Sequence, residues 1–200
     1  MLVVASRNPH KLAELRQLLA DLPLDLRSLG AYPDCPEVVE DGATFADNAI
    51  KKAKAAVACT GEWALADDSG LEVDALCGQP GVHSARFAGE PRDDARNNAK
   101  LLGLLAAVPR ERRRARFRSV IALAGPAGEL DVVEGRVEGV IVEEPRGAGG
   151  FGYDPLFLLP ELGRTMAELS PEEKNALSHR GRAIAALAER LRARFRFPGR

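Results

Sequence analysis

The sequence predicts an α/β fold built on a mixed sheet, and three observations carry that prediction. Short apolar runs at Leu2–Ala5 and around Leu24–Leu29 alternate with stretches whose apolar residues keep helical spacing. Ala115–Ala124 and Leu130–Val142 are strand-like and are joined by the turn Gly125-Pro126-Ala127-Gly128, which reads as a hairpin. In Ala64–Ala75, ALADDSGLEVDA, the residues Leu71, Glu72, Val73 and Asp74 alternate apolar and polar, the pattern of a half-buried strand. Strand–helix alternation argues for α/β, and the hairpin makes the sheet mixed.

Taken in order, the first strand passes through Ser6-Arg7-Asn8 into a helix from Pro9 to about Ala20, with Asn8 as N-cap and Pro9 at the first helical position. Leu12, Leu15 and Leu19 form its buried stripe. After the second strand, a loop containing Pro and Gly reaches Gly42. Thr44-Phe45-Ala46-Asp47 is then a capping box with Asp in place of the usual Glu or Gln. The helix it opens runs to about Cys59, with Phe45, Ile50, Ala53 and Val57 on its apolar face and Asn48 and Lys52 together on another. In the acidic stretch, Asp67-Asp68-Ser69-Gly70 reads as carboxylates at a turn in extended chain. Arg92–Val108 is a third helix, stopped by Pro109; the charge run from Arg110 to Arg118 is a solvated loop leading into the hairpin. Gly147–Tyr153 is a glycine-rich loop. Ser170-Pro171-Glu172-Glu173 is a second capping box, opening a long C-terminal helix with a break near Ser178.

Composition narrows the function classes. The 200 residues suffice for one sizeable domain; 46% are hydrophobic and 28% charged, which is ordinary for a soluble globular chain. Net charge is −1, so no bulk field favours nucleic acid or an anionic membrane. The N-terminal MLVVASRNPHK lacks a secretory pattern and no apolar run is long enough to span a membrane. Cys35, Cys59 and Cys77 are odd in number and lack CxxC spacing, so they read as reduced thiols in a cytoplasmic protein.

Several segments have the chemistry of a phosphate site. Adjacent carboxylates at Asp67 and Asp68 repel by on the order of 4 kcal/mol at about 4 Å and an effective dielectric near 20. A divalent cation with a preference for oxygen ligands would remove that cost. A helix N-terminus after Ser6-Arg7-Asn8 offers unpaired N–H groups to phosphate, with Lys11 one turn on. Glu40 could add a metal oxygen and Lys52 a cation. The loop GAGGFGYDP combines flexible glycines with Phe151 and Tyr153, whose rings suit a nucleobase. Lys174, His179 and Arg180 bring cations and a titratable ring near a helix start. Each of these also has an ordinary structural reading; their joint order is what distinguishes them.

Taken together, SRNPHK, EDGATFADNAIKKA, ADDSGLEVDAL with PGVHSARFAG, GGFGYDPLF and EEKNALSHRG resemble the inosine triphosphate pyrophosphatase family, over nearly the whole chain from Ser6 to Arg180. The resemblance implies one domain over residues 1–200, an elongated mixed sheet flanked by helices with two lobes around a central active-site cleft, and a homodimer. It implies Mg²⁺-dependent hydrolysis of non-canonical purine nucleoside triphosphates (ITP, dITP, XTP) to the monophosphate and pyrophosphate. By position, Ser6, Arg7, Asn8, Pro9, His10 and Lys11 match the triphosphate-binding segment. Glu40 and Asp68 match the metal ligands, with Asp68 also the catalytic proton acceptor and Asp67 its supporting neighbour. Lys52 falls where a lysine faces phosphate, and Ser69 is expected to touch substrate. Phe151, Gly152, Tyr153 and Asp154 match the base loop, and Lys174, His179 and Arg180 the EKxxxSHR block. One departure is Asp47, where the family commonly has Glu. Two other readings share the scaffold: a pyrophosphatase for other modified nucleotides, which a substrate panel separates, and a non-catalytic nucleotide sensor, which would bind without turnover.

Overall fold

In the computed structural model, residues 1–7 and 9–195 are described, with Pro9, His10 and Glu14 described for backbone only. The expected N-cap, Asn8, lies outside the described residues. The strands are β1 (Leu2–Val4), β2 (Leu26–Ser28), β3 (Ala64–Val73), β4 (Arg114–Ala124), β5 (Leu130–Ile141), β6 (Phe157–Leu159) and β7 (Arg164–Thr165). The helices are α1 (Pro9–Leu18), α2 (Phe45–Thr60), α3 (Asp94–Leu105), α4 (Pro171–Leu177) and α5 (His179–Phe195). The strands form one open sheet in the order β2-β1-β3-β4-β5-β6-β7. β1 pairs in parallel with β2 and with β3, whereas β6 pairs antiparallel with β5 and β7, so the sheet is mixed as predicted.

Local signals explain the element boundaries. Thr44 caps α2: its hydroxyl accepts from the Asp47 N–H at 3.1 Å, and the Asp47 carboxylate accepts from the Thr44 N–H at 3.0 Å. The shorter Asp therefore completes the capping box unaided. Ser170 and Glu173 do the same for α4. Ser178 takes an extended conformation (φ −69°, ψ 157°), which separates α4 from α5 where the sequence indicated a break. The expected turn at Asp67–Gly70 is absent; these residues lie within the ten-residue strand β3. Gly70 is required there for space, because a Cβ would run into the Ser84 side chain and lie 2.7 Å from the Gly81 carbonyl.

The chain divides into two compact units: residues 1–68, 119–135 and 181–200 form one, and 69–118 with 136–180 the other. The first has a core of Leu2, Val4, Leu15, Leu19, Leu65, Ile121, Leu123, Ile184 and Leu187. The core of the second includes Leu71, Val73, Leu101, Leu105, Phe117, Ile141, Phe157 and Met166. Among the described residues no helix is long and apolar enough to cross a membrane.

The expectation of three reduced thiols is corrected. Cys35 and Cys59 are disulfide-bonded, with Cα atoms 5.7 Å apart, and only Cys77 is free. The loop after β2 folds back on the last turn of α2, a meeting that linear spacing does not reveal. Closing a loop with a sequence separation of 24 stabilises by about 3 kcal/mol in the chain-entropy account. Urea unfolding with and without dithiothreitol tests this: stability falls by about 2–4 kcal/mol on reduction. Alkylation of the unreduced, unfolded chain labels Cys77 alone.

Candidate functional site

The residues singled out from the sequence fall into two groups, each within one unit. In the first, β3 presents Asp67 and Asp68 to different partners, as its alternation requires. Asp67 is held by Lys11, whose Nζ donates to both carboxylate oxygens at 2.8 Å. Asp68 is only 8% exposed. The Asn48 amide donates to its Oδ2 at 2.9 Å, and the Lys52 ammonium lies 3.7 Å from its Oδ1. The same ammonium donates to Glu40 Oε1 at 2.9 Å. Lys52 is thus a cation shared by two carboxylates.

Asn48, placed on the Lys52 face by the sequence but given no role there, is the functional residue sequence reasoning missed. Its Oδ1 accepts from the Gly42 N–H at 2.8 Å while its Nδ2 serves Asp68, so one buried amide ties the Glu40 loop to β3. The available signal was its placement one helical turn before Lys52 on α2. Arg7, expected at phosphate, donates from Nη2 to the Cys35 carbonyl at 2.7 Å. The Ser6 carbonyl accepts from the Ser28 hydroxyl at 2.8 Å, which fixes the exit from β1. The side chains of Pro9 and His10 lie outside the description, as does Asn8 altogether.

The second group surrounds the glycine-rich loop. Phe151 is 59% exposed, so it is not core. Lys174 Nζ stands 4.4 Å from its ring centroid and the Arg180 guanidinium carbon 5.6 Å. Asp154 is buried and accepts from the Phe151 N–H at 2.8 Å and from Lys174 at 2.5 Å. A side chain at Gly150 (φ +74°) would strike that carboxylate. Arg180 Nη2 reaches Ser69 Oγ at 3.4 Å. Two further side chains of this group are buried. Tyr153 is buried, and its hydroxyl donates to the Ser84 carbonyl at 2.8 Å, so its ring packs inside the unit. His179 is also buried, stacked on Phe117 at 4.9 Å. Burial, reinforced by the Asp94 carboxylate, pushes the Tyr153 phenol well above its ordinary range, which keeps that donor protonated.

Burial is also the main influence on Asp68. It raises the carboxyl above its ordinary value; Lys52 and the Asn48 amide oppose that rise, while Glu40 and Asp67 add to it. No group of three or more His, Cys, Asp or Glu at metal-ligand spacing occurs among the described residues. The carboxylates of Glu40 and Asp68 around one ammonium are nevertheless hard oxygen donors that already hold a cation, which fits a divalent ion completing its shell elsewhere.

Such a fold and site define an α/β protein whose paired carboxylates and lysines suit phosphate-ester or anhydride chemistry. The chain belongs to the Ham1 family, which matches residues 2–190. It is 60% identical over 190 residues to a dITP/XTP pyrophosphatase of Desulforamulus reducens, covering 95% of this chain and 94% of that one. It is 58% identical to the dITP/XTP pyrophosphatase of Geobacter sulfurreducens, covering 95% and 96%. Among solved structures, a HAM1 protein from Coxiella burnetii superposes with a TM-score of 0.91 at 45% identity, covering 96% and 98%. A nucleoside-triphosphatase/dITP/XTP pyrophosphatase from Mycobacterium abscessus superposes with a TM-score of 0.82 at 55% identity, covering 93% and 97%.

The raised Asp68 carboxyl sets a stability prediction. A group protonated more readily in the folded state contributes stability below its unfolded pKa and loses it as pH rises through the folded one. Ionised Asp68 therefore costs stability at neutral pH, and Asp68→Asn, which keeps an oxygen for Asn48, removes that cost. The variant melts at a higher temperature than the parent at about pH 7, and its advantage shrinks as pH falls toward about 4. Thermal melts across that range check the sign.

Proposed function

We propose that this chain hydrolyses non-canonical purine nucleoside triphosphates (ITP, dITP and XTP) to the monophosphate and pyrophosphate, clearing them from the nucleotide pool. The observation that carries the reading is the buried Asp68 with Lys52 and Glu40 at hand, in a chain of the Ham1 family whose relatives are named dITP/XTP pyrophosphatases. Residues 1–200 act as one catalytic domain.

The substrate triphosphate carries about four negative charges, and phosphoryl transfer depends on offsetting them in place. Lys11 and Lys52 supply positive charge in one unit, with Ser6, Arg7, Asn8, Pro9 and His10 as the phosphate-facing entry to α1. Lys174 adds a third lysine. Each has a carboxylate partner in the structure: Asp67, Glu40 and Asp154. Phosphate oxygens therefore replace carboxylates about the lysines rather than meeting bare cations. Glu40 and Asp68 would hold Mg²⁺, which when bound neutralises phosphate charge and polarises the scissile anhydride. Asp68 orients the attacking water and takes its proton, with Asp67 as its supporting neighbour. Phe151 stacks on the base, and Ser69 and Arg180 hold polar edges of the substrate, Arg180 donating to the oxygen at purine position 6. Adenine presents an amino donor there, and two buried donors facing each other cost about 1–3 kcal/mol. Gly152, Tyr153, Asp154 and His179 shape this pocket from behind.

The protein works as a homodimer on a small-molecule substrate, with neither nucleic acid nor membrane as partner. Its substrates place it in the cytoplasm, where the Cys35–Cys59 bond is an uncommon feature.

Incubation with ITP, dITP, XTP, ATP and GTP plus Mg²⁺ tests the reading by measuring pyrophosphate against orthophosphate. Pyrophosphate forms from the first three in preference to ATP and GTP; orthophosphate alone overturns the reaction, and binding without turnover makes the protein a sensor. Asp68→Asn lowers kcat by about 10²–10⁴, the usual worth of a general base. Arg180→Ala narrows the ITP/ATP ratio of kcat/KM by about tenfold, the equivalent of one unpaired donor.

A further inference from the structure

Helix α3 holds both backbone polar groups of Gly152. Its first residue, Asp94, accepts from the Gly152 N–H through Oδ2 at 2.6 Å. One turn on, Asn98 donates from Nδ2 to the Gly152 carbonyl at 3.0 Å. Residues four apart share a helix face, so a single face of α3 satisfies both polar groups of one residue. Gly152 needs such a hold. It sits at φ +60° in a loop with glycines at 147, 149 and 150, a composition with few internal restraints. The neighbouring residues are anchored too: the Phe151 backbone N–H by Asp154, and the Tyr153 hydroxyl by the Ser84 carbonyl. Between Asp94 and Asn98, the buried Asn97 accepts from the Ala88 N–H at 2.7 Å and donates to the Ala85 carbonyl at 3.2 Å, so α3 also grips the 85–88 segment. The Phe151 side chain stays 59% exposed beside Lys174 and Arg180.

We propose that Asp94 and Asn98 are positioning residues for base recognition: by clamping Gly152 they set the direction of the Phe151 ring against Lys174 and Arg180. The proposal rests on the reading of Phe151–Asp154 as the base loop. Neither side chain touches the substrate. Each acts through the loop, and a loop freed from α3 samples orientations in which the ring no longer faces the base. Such a loss weakens ground state and transition state alike, so it appears in KM more than in kcat.

Steady-state kinetics of Asp94→Ala and Asn98→Ala with ITP and ATP test it, alongside two controls. Asp94→Asn keeps an acceptor oxygen for the Gly152 N–H. Asp93→Ala removes the N-cap of α3, where Asp93 accepts from the Arg96 N–H at 2.9 Å, without touching the loop. In the two alanine variants KM for ITP rises about fivefold to tenfold, the factor expected for one lost hydrogen bond, while kcat changes by less than about twofold. Their ITP/ATP ratio narrows. Asp94→Asn restores KM to near the parent value, and Asp93→Ala melts at a lower temperature with KM unchanged. An unchanged KM in the alanine variants overturns the proposal, as does an equal rise in Asp93→Ala, which would make helix stability the cause. If the parent protein releases no pyrophosphate from ITP, the functional reading fails and this proposal falls with it. If the parent turns over normally while the variants match it, this proposal alone fails.

Discussion

A carboxylate that is 8% exposed must be given hydrogen-bond donors and a counter-charge, or it protonates or unfolds the chain. Asp68 imposes that requirement on the first unit. Asn48 and Lys52 meet it from one face of α2, so the helix must be placed with that face over β3. The Thr44 capping box fixes where α2 begins and hence which residues are presented. Asn48 then uses its second polar atom to hold Gly42, and Lys52 its ammonium to hold Glu40. The position of the loop follows from the need of the acid.

In the second unit the same logic runs through Asp154. It is 3% exposed and is satisfied by the Phe151 N–H and by Lys174. Burying this acid curls the glycine-rich loop and turns Phe151 outward. In both units, then, a buried acid orders the polar groups around it. The apolar cores supply stability, and the acids decide which polar groups are left to act. Burial of Tyr153 and His179 fits this division, since both pack within the unit, Tyr153 on the Ser84 carbonyl and His179 on Phe117.

What the sequence revealed was whatever is decided locally. Both capping boxes are four-residue signals, and both form at Thr44 and Ser170. The break at Ser178, the hairpin around Gly125–Gly128 and the sheet class were legible for the same reason. β6 and β7 were not, because Phe157–Leu159 and Arg164–Thr165 are too short to show a period. The Asp-Asp-Ser-Gly segment has turn composition, yet pairing within the sheet keeps it extended. Asn48 was seen on the same face as Lys52, but its partner is set by tertiary packing, as is that of Cys35. The ordered motif blocks indicated the family correctly, since a matched series of segments carries more information than any segment alone.

The Cys35–Cys59 bond and the Thr44 cap lie near opposite ends of α2, and the segment between them runs back along the helix like a string on a bow. From Thr44 to Cys59 the bow measures about 22 Å at 1.5 Å per residue. Fully drawn out, the nine steps from Cys35 to Thr44 reach about 31 Å, so a little over a quarter of the string is slack. Glu40 sits near its middle, five residues from one anchor and four from the other, and Lys52 near the middle of the bow. With that much slack the anchors alone would not hold its centre; the Lys52 ammonium on Glu40 and the Asn48 amide on Gly42 do. Opening the disulfide removes its covalent tie to the end of α2 and leaves it on the hydrogen bonds at Cys35, Glu40 and Gly42.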